Sequence, residues 1–326
     1  FHAVSQVGYM VLGIGTGSLV GIVGGLFHML NNAIYKCGLF LGGGAVEHRA
    51  RTTELDDLGG LARFMPVSFI CFFIAALSIS GVPPFNGFVS KWMVYQGVIE
   101  TGSRLRGLFF TAAILGSALT LASFFKAIHS VFLGQMPEAL SRRRLREVSP
   151  LMTIPLIVLA LLCVLFGVFA QLPLKYFLVP AVAEAGAGSL EIAGAPGELA
   201  FAKGIWSPTA ATLFILSGII LGGIIYLVGR ATQVREERMF IGGETLSPDT
   251  THLSGTGFYN TIRELPLFRV LYSDGEGGAY DLYYLSARYG NTLVQFLRRL
   301  HKGILPIYVG WVVIGLALII LYLVRF

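Results

Sequence analysis

Charge is what this chain has least of. Only 13% of its 326 residues are Asp, Glu, Lys or Arg, about half the share of an ordinary soluble domain. That leaves too little polar surface to cover a water-soluble globule of this size. It also excludes a disordered, charge-rich chain. Cysteine is nearly absent: Cys37, Cys71 and Cys163 stand far apart inside apolar runs, with no CxxC and no Cys/His cluster. No disulfide framework, zinc site or iron–sulfur centre is expected from them, and no cofactor. Phosphate-binding loops, metal-ligand spacings and paired nucleophile–base motifs are missing too, so catalysis by the chain alone is not expected. The last scarcity is positional. All 18 acidic residues fall in polar stretches or at the ends of apolar runs, never in the middle of one.

What fills the chain is 55% hydrophobic residues, 12% aromatics and 41 glycines. That composition fits closely packed membrane helices with interfacial aromatic belts. An all-α, polytopic transmembrane helix bundle is the expected fold class. A span needs about 20 apolar residues. Candidates run over 4–15, 19–44, the pair 65–80 and 84–99, 107–133, 151–171, 208–228 and 304–324. The pair is unusual, because Gly81, Pro83, Pro84, Asn86 and Gly87 interrupt some 35 mostly apolar residues. Proline lacks a donor and displaces the residue before it from the helical region. Freed backbone at this depth is tolerated only where protein or water surrounds it. The expectation is one discontinuous helix over 65–99.

Lys and Arg in alternating loops divide sixteen against five when that broken segment counts as one crossing. The richer side, holding the 230–302 stretch, is then cytoplasmic, and the C-terminus faces outward. The net charge of +6 therefore reads as a topology signal and does not indicate nucleic acid. Within 230–302, turns are expected at Gly242-Gly243 and Ser273-Asp274-Gly275. A helix follows, with Leu282, Leu285, Tyr289, Leu293, Phe296, Leu297 and Leu300 at roughly helical spacing. It is either an amphipathic interfacial helix or an ordinary connecting helix packed on the spans.

Three lysines remain inside spans: Lys36, Lys91 and Lys126. A lysine at bilayer depth must be hydrated, paired or deprotonated, and no deep carboxylate is on hand to pair it. Lys91, five residues past Asn86, sits where the broken helix offers free carbonyls on one side and a helix N-terminus on the other. Snorkelling to the interface is the alternative. His28, Asn32 and Lys36 recur every four residues, which suits either a hydrated relay or a packed polar seam. Lys126 and His129 read as a relay exit or as interface anchors.

Several ordered segments carry a family resemblance: "FHAVSQVGYM", "LFHMLNNAIYKCGLFLGGG", "ELDDLGGLARFMP" and "SGVPPFNGFVSKW". They resemble the C-terminal half of the antiporter-like subunits of complex I, Mrp-type cation/proton antiporters and energy-converting membrane hydrogenases. "TLASFFKAIHSVFLG" and the tail from "ERMFIGGE" look most like the hydrogenase and formate hydrogenlyase branch. The resemblance implies inverted five-helix repeats, each with a half-channel and a broken helix. Lys91 matches the lysine of the second broken helix, facing the outer half-channel, and Lys36 the central-axis lysine. Asn32 stands where the family often has histidine.

The implied organisation is a second antiporter-like repeat over 1–134 lacking its first helix. Additional transmembrane helices over 135–229, a cytoplasmic-side segment over 230–302 and a final span over 303–326 follow. With the first repeat and its lysine–glutamate pair missing, a fragment or a split subunit is expected. Implied partners are lipid and other membrane subunits of a redox or antiporter complex, a paralogous antiporter-like subunit among them. The implied location is a prokaryotic plasma membrane. The implied role is proton translocation along Lys91, Lys36, His28, Asn32, Lys126 and His129; a non-conducting scaffold or a free-standing antiporter half are the rivals.

Overall fold

A computed structural model describes residues 2–186, 188, 199–201, 204–229, 255, 257–301 and 303–325. The expected turn at Gly242-Gly243 and most of the polar stretch before 255 lie outside them. The described chain forms two compact units, one ending at Phe258 and one starting at Tyr259.

The first unit is built around one long helix. Helix α1 spans His2–Gly15, and a turn with Gly17 in the left-handed region leads to α2, Leu19–Ala50. Ser18 starts α2 by accepting a hydrogen bond from the Gly21 N–H at 3.0 Å. At 32 residues, α2 is about 48 Å long and overshoots the hydrocarbon thickness. Helices α3, Pro66–Ser80, and α4, Asn86–Glu100, follow as two 15-residue pieces. Each is about 22 Å long, too short to cross alone. Helix α5, Arg106–Ile128, continues as a π-turn over His129–Leu133, and α6 spans Pro150–Val168. α2 packs against α1, α3, α4 and α6. Its buried face carries Val23, Phe27, Ile34, Tyr35 and Leu39. Those side chains join Val89 and Met93 of α4 on one side and Ala75, Ala76 and Ile79 of α3 on the other. The broken pair is therefore wrapped by protein, as freed backbone in a membrane requires.

The start of α3 is held from a distance. Glu147 accepts hydrogen bonds from the backbone N–H groups of Val67 (2.9 Å) and Ser68 (3.1 Å), and from the Ser68 hydroxyl (2.6 Å). A carboxylate there satisfies donors left over at the helix start and meets the positive end of the dipole. Glu147→Ala is expected to destabilise the fold by about 2 kcal/mol or more, read as a lowered midpoint of thermal unfolding in detergent. An unchanged midpoint would show the contact to be incidental.

One departure from an all-helical chain is a small antiparallel hairpin, Leu199–Phe201 against Gly204–Trp206. Helix α7, Pro208–Val228, follows it. The second unit holds α8, Pro266–Glu276, α9, Leu282–Leu300, and α10, Leu305–Arg325. The expected turn at Ser273-Asp274-Gly275 is helical instead. The helix runs on to Glu276 and stops at Gly277-Gly278, where Gly278 adopts a positive φ. An Arg263–Glu276 ion pair ties the start of the unit to this end. α9 gathers its apolar residues on one face, and Asp281 caps it by accepting from the Tyr283 N–H at 2.8 Å. Four helical stretches among the described residues are long and apolar enough to cross a membrane: 106–133, 150–168, 210–228 and 305–324. The protein is an all-α, polytopic integral membrane protein.

Candidate functional site

The break between α3 and α4 is the structural centre of the site. Gly81 ends α3 at φ 80°, and its N–H reaches back to the carbonyls of Leu77 and Ser78. The Val82 N–H bonds the Leu77 carbonyl at 3.0 Å, which closes a Schellman-type stop. The Pro83–Pro84 bond is cis. α4 restarts at Asn86, with Gly87 pressed so close to the Ser78 carbonyl that any β-carbon would collide with it.

Asn86 ties the break to α2. Its side-chain amide donates to Asn31 Oδ1 at 3.0 Å, and Asn31 Nδ2 donates to the Asn86 carbonyl at 3.0 Å. The Ser78 hydroxyl donates to Asn86 Oδ1. Asn31, Ser78 and Asn86 are fully buried. Three side chains from three helices thus satisfy one another where regular backbone pairing stops.

Lys91 lies one turn along α4, 1% exposed. Its Nζ donates to the Ile79 carbonyl at 2.9 Å and to Ser117 Oγ of α5 at 3.1 Å. It also stands 4.7 Å from the centre of the Tyr9 ring. The amine points to the C-terminal end of α3, where helix carbonyls favour positive charge, and does not reach outward to the interface. Ser117 is a shared contact, also 2.9 Å from the hydroxyls of Tyr9 and Tyr95. The Tyr9 hydroxyl donates to the Ala113 carbonyl as well.

His28 forms a second cluster. Its Nδ1 lies 2.9 Å from Ser90 Oγ and its Nε2 2.9 Å from Gln6 Oε1, with the Tyr35 hydroxyl 3.3 Å from Nε2. Donation from Nε2 to Gln6 and acceptance at Nδ1 from Ser90 satisfy both ring nitrogens. The carbonyls of Asn86 and Gly87 lie 3.3 and 3.2 Å from the Ser90 hydroxyl as competing acceptors for its single proton. The His28 cluster therefore touches the break.

The other sequence-selected residues stand apart. Asn32 and Lys36 share a helix with His28 but not its cluster. Each four-residue step turns about 40° around a helix axis, so Lys36 points about 80° away from His28. Lys36 is half-buried, with Nζ 5.5 Å from the Phe40 ring centre. Asn32 Oδ1 is buried with no hydrogen-bond partner among the described residues. Lys126 is half-buried near the end of α5, about 14 Å along the helix from Ser117. His129 lies in the π-turn, its ring centre 5.1 Å from that of Phe258 and its Nδ1 unpaired among the described residues.

Gln6, Tyr9, Tyr35, Tyr95 and Ser117 complete the two clusters, and Ser78 the tie at the break, without having been singled out from the sequence. The available signal was modest: Gln6 and Tyr9 share a face of an otherwise apolar helix.

Residues 1–120 match the family model described as NADH:quinone oxidoreductase/Mrp antiporter, TM. Subunit N of the NADH-quinone oxidoreductase of Desulforudis audaxviator is 35% identical over 181 residues, covering 52% of this chain and 36% of that protein. Subunit A1 of the Na(+)/H(+) antiporter of Staphylococcus saprophyticus is 34% identical over 202 residues, covering 56% of this chain and 25% of the relative. The chain thus spans about a quarter to a third of the length of these curated relatives. A chain of the archaeal membrane-bound sulfane sulfur reductase, a respiratory membrane complex, shares the fold with a TM-score of 0.67 at 26% identity. That match covers 98% of this chain and 50% of that one. Over residues 1–120 the chain is similar to the antiporter-like membrane subunits of the complex I and Mrp superfamily.

Proposed function

We propose that this chain forms a proton-conducting segment of a multi-subunit, redox-driven membrane complex, complex I-like or of the energy-converting hydrogenase kind. One observation carries the reading: Lys91 is a buried amine at a helix break, held by a carbonyl, a hydroxyl and a ring face and, among the described residues, by no carboxylate. An amine so placed has no permanent counter-charge to fix it as a cation. It takes a proton when neighbouring charge favours this and passes it on when that charge changes. The ion is a proton, since lysine carries protons and does not ligate sodium. Release runs past Ser117 and Tyr95 towards the face reached by the end of α4, which the positive-inside count makes the outer face. Lys36, half-buried on α2, receives protons from neighbouring membrane subunits, a paralogous antiporter-like subunit among them. Lys126 and His129 lie on a separate branch near the opposite face. In this reading residues 1–134 are one antiporter-like repeat, the membrane is the prokaryotic plasma membrane, and the C-terminus faces outward.

The alternative is a non-conducting structural module. The same contacts favour it, because they already engage the Lys91 ammonium. Proton uptake by the assembled complex in sodium-free liposomes separates the two. A Lys91→Met complex that assembles normally and still pumps at the wild-type rate overturns the conducting role.

A further inference from the structure

The His28 and Lys91 clusters lie side by side, yet among the described residues no hydrogen bond joins them. The Tyr9 ring is what touches both. Its centre is 5.4 Å from the His28 ring centre and 4.7 Å from Lys91 Nζ. Its hydroxyl is turned to the α5 side, bonded to Ser117 and to the Ala113 carbonyl. A proton travels along hydroxyls, amides, amines and water, and an aromatic carbon face offers it no lone pair. The ring is 4% exposed and packed with Val94 and Ala113, so it stays in place while the phenol tether holds.

We infer that Tyr9 is a positioning residue that separates the two polar clusters: its ring blocks direct proton passage between His28 and Lys91, and its hydroxyl tether to α5 holds the ring in that place. The inference rests on the conducting role of Lys91. It makes the contact between α1 and α5 a control point. A shift of α5 that frees the phenol lets the ring turn, and the polar walls on both sides then admit water.

The test uses the assembled membrane complex containing this chain, reconstituted in liposomes. A potassium diffusion potential drives protons inward, and a trapped pH dye reports them. Tyr9→Ala opens a gap between polar groups and is expected to raise passive proton entry severalfold. Tyr9→Phe keeps the ring and is expected to leak far less than Tyr9→Ala. The double variant Tyr9→Ala/Lys91→Met removes the far acceptor and is expected to bring the leak back to the wild-type level. A leak that persists in the double variant reports a non-specific hole, and absence of any leak in Tyr9→Ala shows that the ring blocks nothing; either overturns the inference. Loss of pumping in Lys91→Met alongside an unchanged Tyr9→Ala leak would overturn only the role of Tyr9, while undiminished pumping in Lys91→Met would remove the reading beneath it.

Discussion

Lys91→Met is expected to lower proton pumping by the assembled complex at least a hundredfold, with no loss of stability. Methionine fills nearly the same volume but cannot hold a proton. The carrier must then cross that stretch without a titrating group, at a desolvation cost of several kcal/mol, and each 1.4 kcal/mol is about tenfold in rate. Stability should hold or rise, because a buried amine with no carboxylate partner is a burden that the apolar side chain removes. Of the groups left behind, Ser117 retains Tyr9 and Tyr95, and the Ile79 carbonyl loses its Lys91 donor, a smaller cost than burying the amine. Lys91→Arg sharpens the result. Guanidinium never gives up its proton in a protein, so this variant should also fail to pump although it keeps the positive charge. A measured pumping rate and unfolding midpoint for both variants test the pair of claims. An active Lys91→Arg complex would mean that charge alone, without proton exchange, is what the site supplies.

Asn86→Leu is expected to have the largest effect on the fold. Leucine fits the volume but strands the fully buried Asn31 Oδ1 and takes the acceptor from the fully buried Ser78 hydroxyl, leaving it the Gly87 N–H. Each lost partner costs about 1–3 kcal/mol at a fully buried group. A loss of about 2–5 kcal/mol should appear as a sharply lower thermal midpoint in detergent and as poor assembly. A normal midpoint would mean that α2 and α4 hold the break by apolar packing alone.

The break itself was legible in the sequence. Two prolines followed by Asn-Gly inside an apolar stretch leave a helix no way to continue, and the place of Lys91 follows from counting onward from there. The helical core and the cap at Ser18 could be read for similar local reasons. The side-chain partners of Lys91 could not, because Ser117 and Tyr9 come from helices more than twenty residues away whose rotation no periodicity fixes. Ser117 is an ordinary serine in an apolar run until α5 turns it toward Tyr9 and Tyr95. Glu147 looks like a loop acid until the chain folds it onto the start of α3, eighty residues earlier. The four-residue spacing of His28, Asn32 and Lys36 drifts about 40° per step, which carries Lys36 to the flank of α2. Gln6 and Tyr35 complete the cluster of His28 in its stead.

Helix α3 is pinned at both tips by side chains that are not its own. Glu147 grips its first turn, and Lys91 grips the Ile79 carbonyl in its last. A short strut fastened this way resists sliding along its length, because any such slip must break one fastening. Were the amine to lose its proton, the far fastening would slacken while the near one stayed, and the Ser78–Asn86 contact would be left to hold that tip.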